Sequence, residues 1–407
     1  MATSERLIEV GPEVLDGVPV RPSAADIQRG CSCRVPDPRS PTRVVRAADA
    51  LLVVPGCVRA LLSSRPRSVR QLTFKGPGRL EWEEAAPPPL SGDGDALVRP
   101  ITVATCDLDA AVMAGKAPLP GPFAFGHEFV AEVVEVADGV EVAREGDRVI
   151  VPFQVSCGAC ERCRRGLTAS CDTAGAGAAF GMAPIARREW GGALSDLVRI
   201  PFADAMLVPL PSGVEAATFA SVSDNVPDGW RAVAPGLQAD PGAPVLIVGG
   251  LGDVALYAAA IAVALGSERV DYVDSDERRL EVAQAVGATP IGQAADGSRL
   301  GRYPITVDHS GEPAGLRSAL RSTEPEGTCT STAIYFSQET PVPLLEMYTR
   351  GIVFRTGRVN ARTVLPHVVE LILKGRVRPE LVTAATVPWD QADTALEHLD
   401  AKTVVTR

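Results

Sequence analysis

The run PVLIVGGLGDVALYAAAIAVAL, residues 244–265, joins a short apolar strand pattern to an alanine-rich helical one through a glycine turn. Pro244–Val248 reads as a buried strand, and Asp253–Leu265 as a helix closed by Gly266. Between them, Gly250, Gly252 and Ala255 fit the spacing G-x-G-x-x-G/A, with Gly249 ahead of it. Glycines there allow a tight bend and let a pyrophosphate approach the first amides of the helix. No Gly-Lys-Ser/Thr follows, which excludes a P-loop. Arg269–Val273 reads as the next strand, and Asp274 closes it 24 residues after Gly250, near the usual ~20. A carboxylate at that place can accept hydrogen bonds from the adenosine ribose of a dinucleotide. Asp253 suits the positive end of a helix but is an unhelpful charge beside phosphate.

Downstream the alternation continues. A helix is expected over Asp276–Val286, ending at Gly287, then Ile305–Asp308, Leu316–Ser322 and Cys329–Tyr335 as strand, helix and strand. Such alternation predicts a parallel sheet with helices on both faces. Two more helices are expected near Leu365–Leu373 and Gln391–Leu399. Upstream, Ala96–Val103, Glu128–Val136 and Arg148–Phe153 are short β-branched runs punctuated by Gly and Pro, as in the antiparallel strands of a small barrel.

That upstream half carries the metal-binding chemistry. Cys157, Cys160 and Cys163 are spaced by two residues, and Cys171 follows eight residues later. Four thiolates can close a tetrahedron around zinc, and two-residue gaps let one tight loop aim neighbouring sulfurs at a point. An iron–sulfur cluster is the alternative. A site filled by four protein ligands leaves no position for substrate, so this zinc is expected to be structural. Gly126-His127-Glu128 enters a strand, with Cys106 twenty-one residues before the His. A site with three protein ligands keeps a fourth position open for chemistry. His309, His367 and His398 have no ligand spacing around them and are expected to be structural.

The chain's 407 residues suffice for two or three domains. A net charge of −10 argues against general nucleic-acid binding. No run approaches the ~20 apolar residues of a membrane helix. The first 68 residues differ from the rest, with ten Arg, no Lys and seven acids, and Arg21–Pro41 shows no sustained period. They are expected to be a dispensable, disordered extension, with order beginning near Val69. The apolar run after Ala50 lies too far from the terminus for a secretory signal, and the expected location is the cytoplasm.

Taken together, the glycine turn, the cysteine quartet and the Cys106/His127 pair resemble the zinc-dependent alcohol dehydrogenases of the medium-chain dehydrogenase/reductase superfamily. Gly146-Asp147-Arg148-Val149 looks like that family's Gly-Asp-Arg-Val turn. The resemblance covers about residues 69–407 and implies an α/β chain. It would have a GroES-like β-barrel catalytic domain over 69–225 and a Rossmann dinucleotide-binding domain over 226–355. A C-terminal segment, 356–407, would return to the barrel. It implies Cys106, His127 and Asp224 as catalytic-zinc ligands, with Glu128 behind the metal and Asp109 orienting the His. Cys157, Cys160, Cys163 and Cys171 would form the structural-zinc lobe. Gly249, Gly250, Gly252 and Asp274 would hold NAD, with Arg279 beside the adenine, and NADP is less favoured. Relatives are homodimers or homotetramers.

Some positions depart from the family pattern. Leu108 stands where many relatives carry a proton-relaying hydroxyl, and Ala111 replaces a downstream His. Asp107 stands where some place a phosphate-binding Arg, and Asp228 replaces a Thr near the nicotinamide. The expected activity is hydride transfer between an alcohol, or its carbonyl product, and NAD. The alternatives are a polyol or amino-alcohol dehydrogenase, or a catalytically silent dinucleotide sensor. The partners expected are a small alcohol or carbonyl, and no nucleic acid or membrane.

Overall fold

The computed structural model describes residues 67–407, apart from Arg187 and the side chain of Ala186. The expected extension, but for its last two residues, lies outside the described residues. Among the described residues no helix is long and apolar enough to cross a membrane.

The first half is antiparallel. β1 (Val69–Gly76) is flanked by β2 (Arg79–Ala85) and the short β4 (Phe123–Ala124). A larger sheet is centred on β3 (Ala96–Ala104) and β5 (Glu128–Val136), and continues through β6 (Arg148–Val151) to β8 (Val208–Pro209). The short β7 (Val198–Ile200) also pairs with β3. Phe74, Phe125, Phe129, Val133 and Leu194 fill the space these strands enclose.

The second half is a six-stranded parallel sheet. Its strands are β9 (Val245–Val248), β10 (Val270–Asp274), β11 (Thr289–Gly292), β12 (Tyr303–Asp308), β13 (Thr323–Ser331) and β14 (Val353–Arg355). They stand in the order β11-β10-β9-β12-β13-β14. The order reverses between β9 and β12, and a doubly wound sheet opens its ligand crevice beyond the carboxyl ends of the strands at such a reversal. All four residues of β9 are buried, which explains its unbroken apolar reading. This is the α/β architecture expected, a barrel followed by a Rossmann sheet.

The last strands, β15 (Ala385–Pro388) and β16 (Thr403–Thr406), leave this sheet, and β16 pairs with β3 of the barrel. That return places Lys402 beside the end of β3, where Thr105 N–H donates to the Thr403 carbonyl at 2.9 Å.

Helices cover both faces of the parallel sheet. We use α1 (Asp107–Met113), α2 (Asn225–Ala239), α3 (Asp253–Ala264), α4 (Glu277–Ala285), α5 (Pro313–Ser322), α6 (Leu344–Arg350) and α7 (Ala361–Leu373). α3 is apolar on every side and nearly all buried, between β9 and α2. α2 was not legible as a helix, because it carries Pro227, Gly229 and Pro235. Pro227 lies in the first turn, where no intrahelical bond is lost. Gly229 lets α2 touch α3: a Cβ there would stand 2.8 Å from the Ala258 nitrogen. The expected helix Gln391–Leu399 shortens to one turn, Ala392–Ala395. Ala392 and Leu396 are buried in the barrel core, and the chain beyond them runs out toward β16. The strand expected over Cys329–Tyr335 lies earlier, because β13 starts where α5 stops.

Candidate active site

Cys106 ends the loop after β3 and is the N-cap of α1. His127 sits between β4 and β5, Glu128 opens β5, and Asp224 caps α2. The potential ligand atoms of these four all lie within 4.8 Å of one another. His127 is fully buried, yet neither ring nitrogen has a hydrogen-bond partner. Nε2 lies 3.4 Å from an Asp224 carboxylate oxygen, and Nδ1 lies 3.5 Å from Asp109. Two ligand atoms on a tetrahedral zinc, with bonds of about 2.0–2.1 Å, stand roughly 3.3–3.4 Å apart. The His127 Nε2 to Asp224 spacing has that value. Asp109 also accepts the Cys106 N–H at 3.0 Å, so one buried carboxylate steadies the residues at both Cys106 and His127. Burial pushes the Cys106 thiol well up, and Asp109, Asp224 and Glu128 push it further. A thiol, an imidazole and three acids gathered away from water suit a divalent cation, so this donor set fits zinc.

The acid at Glu128 has a partner that no local sequence signal announced. Lys402 is completely buried and donates to both Glu128 oxygens at 3.2 and 3.3 Å and to Asn225 Oδ1 at 2.7 Å. Asp253 lies 3.7 Å away. Burial opposes a charged Lys402, but the Glu128 and Asp253 carboxylates outweigh it and hold the ammonium above the ordinary lysine range. Glu128 is therefore engaged by Lys402, and the Cys106, His127 and Asp224 side chains are the three others whose potential ligand atoms gather there.

The cysteine quartet forms a second cluster on the loop after β6. The Sγ atoms of Cys157, Cys160, Cys163 and Cys171 lie within 4.8 Å of one another, and all four thiols are free. Cys160 and Cys171 sulfurs are 4.0 Å apart. Tetrahedral zinc with bonds of about 2.3 Å would space them at ~3.8 Å. Backbone N–H groups of Cys160, Cys163 and Ala174 donate to the sulfurs of Cys157, Cys160 and Cys171 at 3.3, 3.4 and 3.3 Å. Such bonds favour thiolates. Burial would raise Cys157, but hydrogen bonds from Thr173 and nearby amides bring it down to about 6. Burial and the neighbouring thiols push Cys163 up to about 12. This set also fits zinc.

A cleft of about 330 Å³ runs from Cys106 past Gly250 and Gly252 to Arg279, with Lys402 in its wall. The backbone at Gly250 and Gly252 has φ of +139° and +137°, which a residue with a Cβ would resist. Gly249 is needed for space as well: a Cβ there would stand 2.6 Å from Asp274 Oδ2. The carboxylate of Asp274 is buried at the end of β10 and receives two bonds from Arg279, both 2.8 Å, and one from Tyr272 Oη at 3.1 Å. Arg278 reaches Asp276 and Asp400 instead. Buried His309, expected to be structural, stands at the sheet's reversal and bonds Asp107 at 2.7 Å. Open glycine backbone, a helix N-terminus and a ribose-height acid fit a dinucleotide.

Residues 92–212 match the alcohol dehydrogenase GroES-like domain family. Over 329 residues the chain is 30% identical to a probable zinc-binding alcohol dehydrogenase of Mycobacterium tuberculosis, spanning 80% of this chain and 83% of that one. Identity to zinc-type alcohol dehydrogenase B of Aspergillus flavus is 29% over 357 residues, spanning 84% and 81%. Among solved structures, alcohol dehydrogenase TADH from Thermus sp. ATN1 aligns with a TM-score of 0.76 at 28% identity, over 83% of this chain and 99% of that one. The chain belongs to the zinc-dependent alcohol dehydrogenase family of the medium-chain dehydrogenase/reductase superfamily. It is a zinc-type oxidoreductase acting on CH–OH groups.

Proposed function

We propose that Cys106, His127 and Asp224 hold the catalytic zinc, that Cys157, Cys160, Cys163 and Cys171 hold a second, structural one, and that NAD is the preferred dinucleotide. The observation that carries this is the unbonded, fully buried His127 between Asp109 and Asp224, at the end of a cleft that reaches the glycine turn. When bound, zinc supplies Lewis acidity toward a substrate oxygen and the nicotinamide exchanges hydride. Asp109 accepts the Cys106 N–H and sets a carboxylate beside His127 Nδ1. Glu128 and Lys402 form a neutral pair beneath the ligands, which keeps an uncompensated charge from the buried side. Leu108 packs against Phe153, Met182 and Val359 and has no hydroxyl, so the substrate proton leaves by a route that does not pass through it.

Two observations support NAD over NADP. A 2′-phosphate would meet the Asp274 carboxylate, and both arginines that could answer it are already paired, Arg279 with Asp274 and Arg278 with Asp276 and Asp400. Self-association is supported by the sheet edge at β14. There Val353 and the neighbouring Leu344, Leu345 and Tyr348 of α6 are 44%, 67%, 76% and 83% exposed. A monomer mass by light scattering would contradict that last reading.

The activity is tested by absorbance of NADH formed over a panel of primary, secondary and polyhydric alcohols. Alcohol-dependent NADH formation by the native enzyme, lost in Cys106→Ala, is expected. A protein that binds NADH but turns over none of the panel would be the silent sensor instead.

A further inference from the structure

Asp107 is the first residue of α1, next to Cys106, yet its side chain crosses to the other domain. Its Oδ2 accepts a 2.7 Å hydrogen bond from His309 Nε2 at the end of β12. Its Oδ1 lies 3.4 Å from the backbone nitrogen of Asp253, at the N-terminus of α3. A Cβ placed on Gly252 would stand 3.1 Å from that same Oδ1, so the carboxylate fills the space the missing side chain leaves. His309 is itself fixed, because Nδ1 pairs with Thr332 Oγ1 at 2.9 Å and its carbonyl accepts the Leu251 N–H at 3.2 Å. The first turn of a twelve-residue helix, beside a glycine turn at the reversal of a doubly wound sheet, is where a pyrophosphate would be received. In this structure a carboxylate of the chain is already there.

We propose that Asp107, held by His309, is a built-in occupant of the dinucleotide's phosphate site, and that the cofactor binds only by displacing it. The inference rests on reading Gly249–Asp253 as the dinucleotide turn. Two anions cannot share one helix N-terminus without repulsion. Two of the cations lining the cleft are already engaged, Lys402 by Glu128 and Asn225, and Arg279 by Asp274. The clasp therefore lowers the apparent affinity by the fraction of molecules in which it is closed. By re-forming, it also helps the spent cofactor to leave, and product release limits the turnover of many enzymes. Asp107 thus sets cofactor affinity from the barrel side of the cleft, without touching the alcohol.

The test is a fluorescence titration of the zinc-loaded, full-length protein with NADH. Asp107→Asn keeps the shape and removes the charge. It is expected to bind NADH at least about fivefold more tightly, equivalent to ~1 kcal/mol. Equal or weaker binding by Asp107→Asn overturns the proposal. The native protein gives a second readout that needs no variant. In its NADH complex, Asp107 Oδ2 and His309 Nε2 are expected beyond hydrogen-bond distance. A complex with the pyrophosphate on the glycine turn and the 2.7 Å contact intact overturns the clasp and leaves the dinucleotide turn standing. Gly252→Val should abolish NADH binding. If it binds as well as the native protein, the dinucleotide turn is misread and the clasp falls with it.

Discussion

Asp274 shows how one side chain can serve stability and selectivity together. Burial alone would raise its carboxyl, but Arg279, the Asp276 N–H and Tyr272 outweigh burial and hold it below the usual aspartate range. A carboxyl depressed in the folded state stabilises the fold above its unfolded value, about 3.9, and that contribution is lost as the pH falls through the folded value. Asp274→Asn should therefore cost on the order of 2 kcal/mol at neutral pH. The melting-temperature difference from the native protein should begin to shrink as the pH falls below about 4 and keep shrinking until the folded value is passed. A melting difference that stays constant from pH 7 to pH 3 would contradict this account of the pair. In the cofactor assay, NAD should be favoured over NADP by at least about tenfold, ~1.4 kcal/mol, and Asp274→Ala should erode that preference by weakening NAD. Equal kinetics with the two cofactors in the native enzyme would mean that Arg278 and Arg279 are freed when the dinucleotide binds.

Among the elements, the legible ones were those whose chemistry is contiguous in the chain. The cysteine quartet lies within fifteen residues, and a loop that short leaves the sulfurs little choice but to converge. The glycine turn is bounded by its own strand and helix, so spacing alone places it. Nothing local marks Lys402, and His309 reads only as a structural histidine, because their partners, Glu128 and Asp107, are 274 and 202 residues away, brought close only when β16 returns to β3 and the two domains meet. α2 escaped for a different reason: tertiary burial of Val226, Val233 and Leu237 offsets helix-breaking residues that propensity counts against it. The quartet carries the prediction at this scale. Cys160→Ala should lower the melting temperature sharply while leaving the Cys106 site able to take metal, because a structural zinc contributes folding free energy directly. An unchanged melting temperature would show that the loop after β6 holds its shape without metal.

At the scale of the molecule, the enzyme is a barrel that carries Cys106 and His127 and a parallel sheet that carries the glycine turn, joined by a shared apolar cluster. Val130 and Ile150 of the barrel pack in the same cluster as Tyr257, Ile261 and Leu365 of the sheet's helices. Cys106, His127 and Asp224 come from three separate places in the chain, and Asp224 lies where the barrel gives way to α2. That convergence makes the metal count the most direct test of the whole account. Metal analysis of the purified native protein should give two zinc ions per chain. Cys106→Ala should retain one and remain folded without turnover, and Cys160→Ala should also retain one. A native protein holding a single zinc per chain would contradict the two-site arrangement.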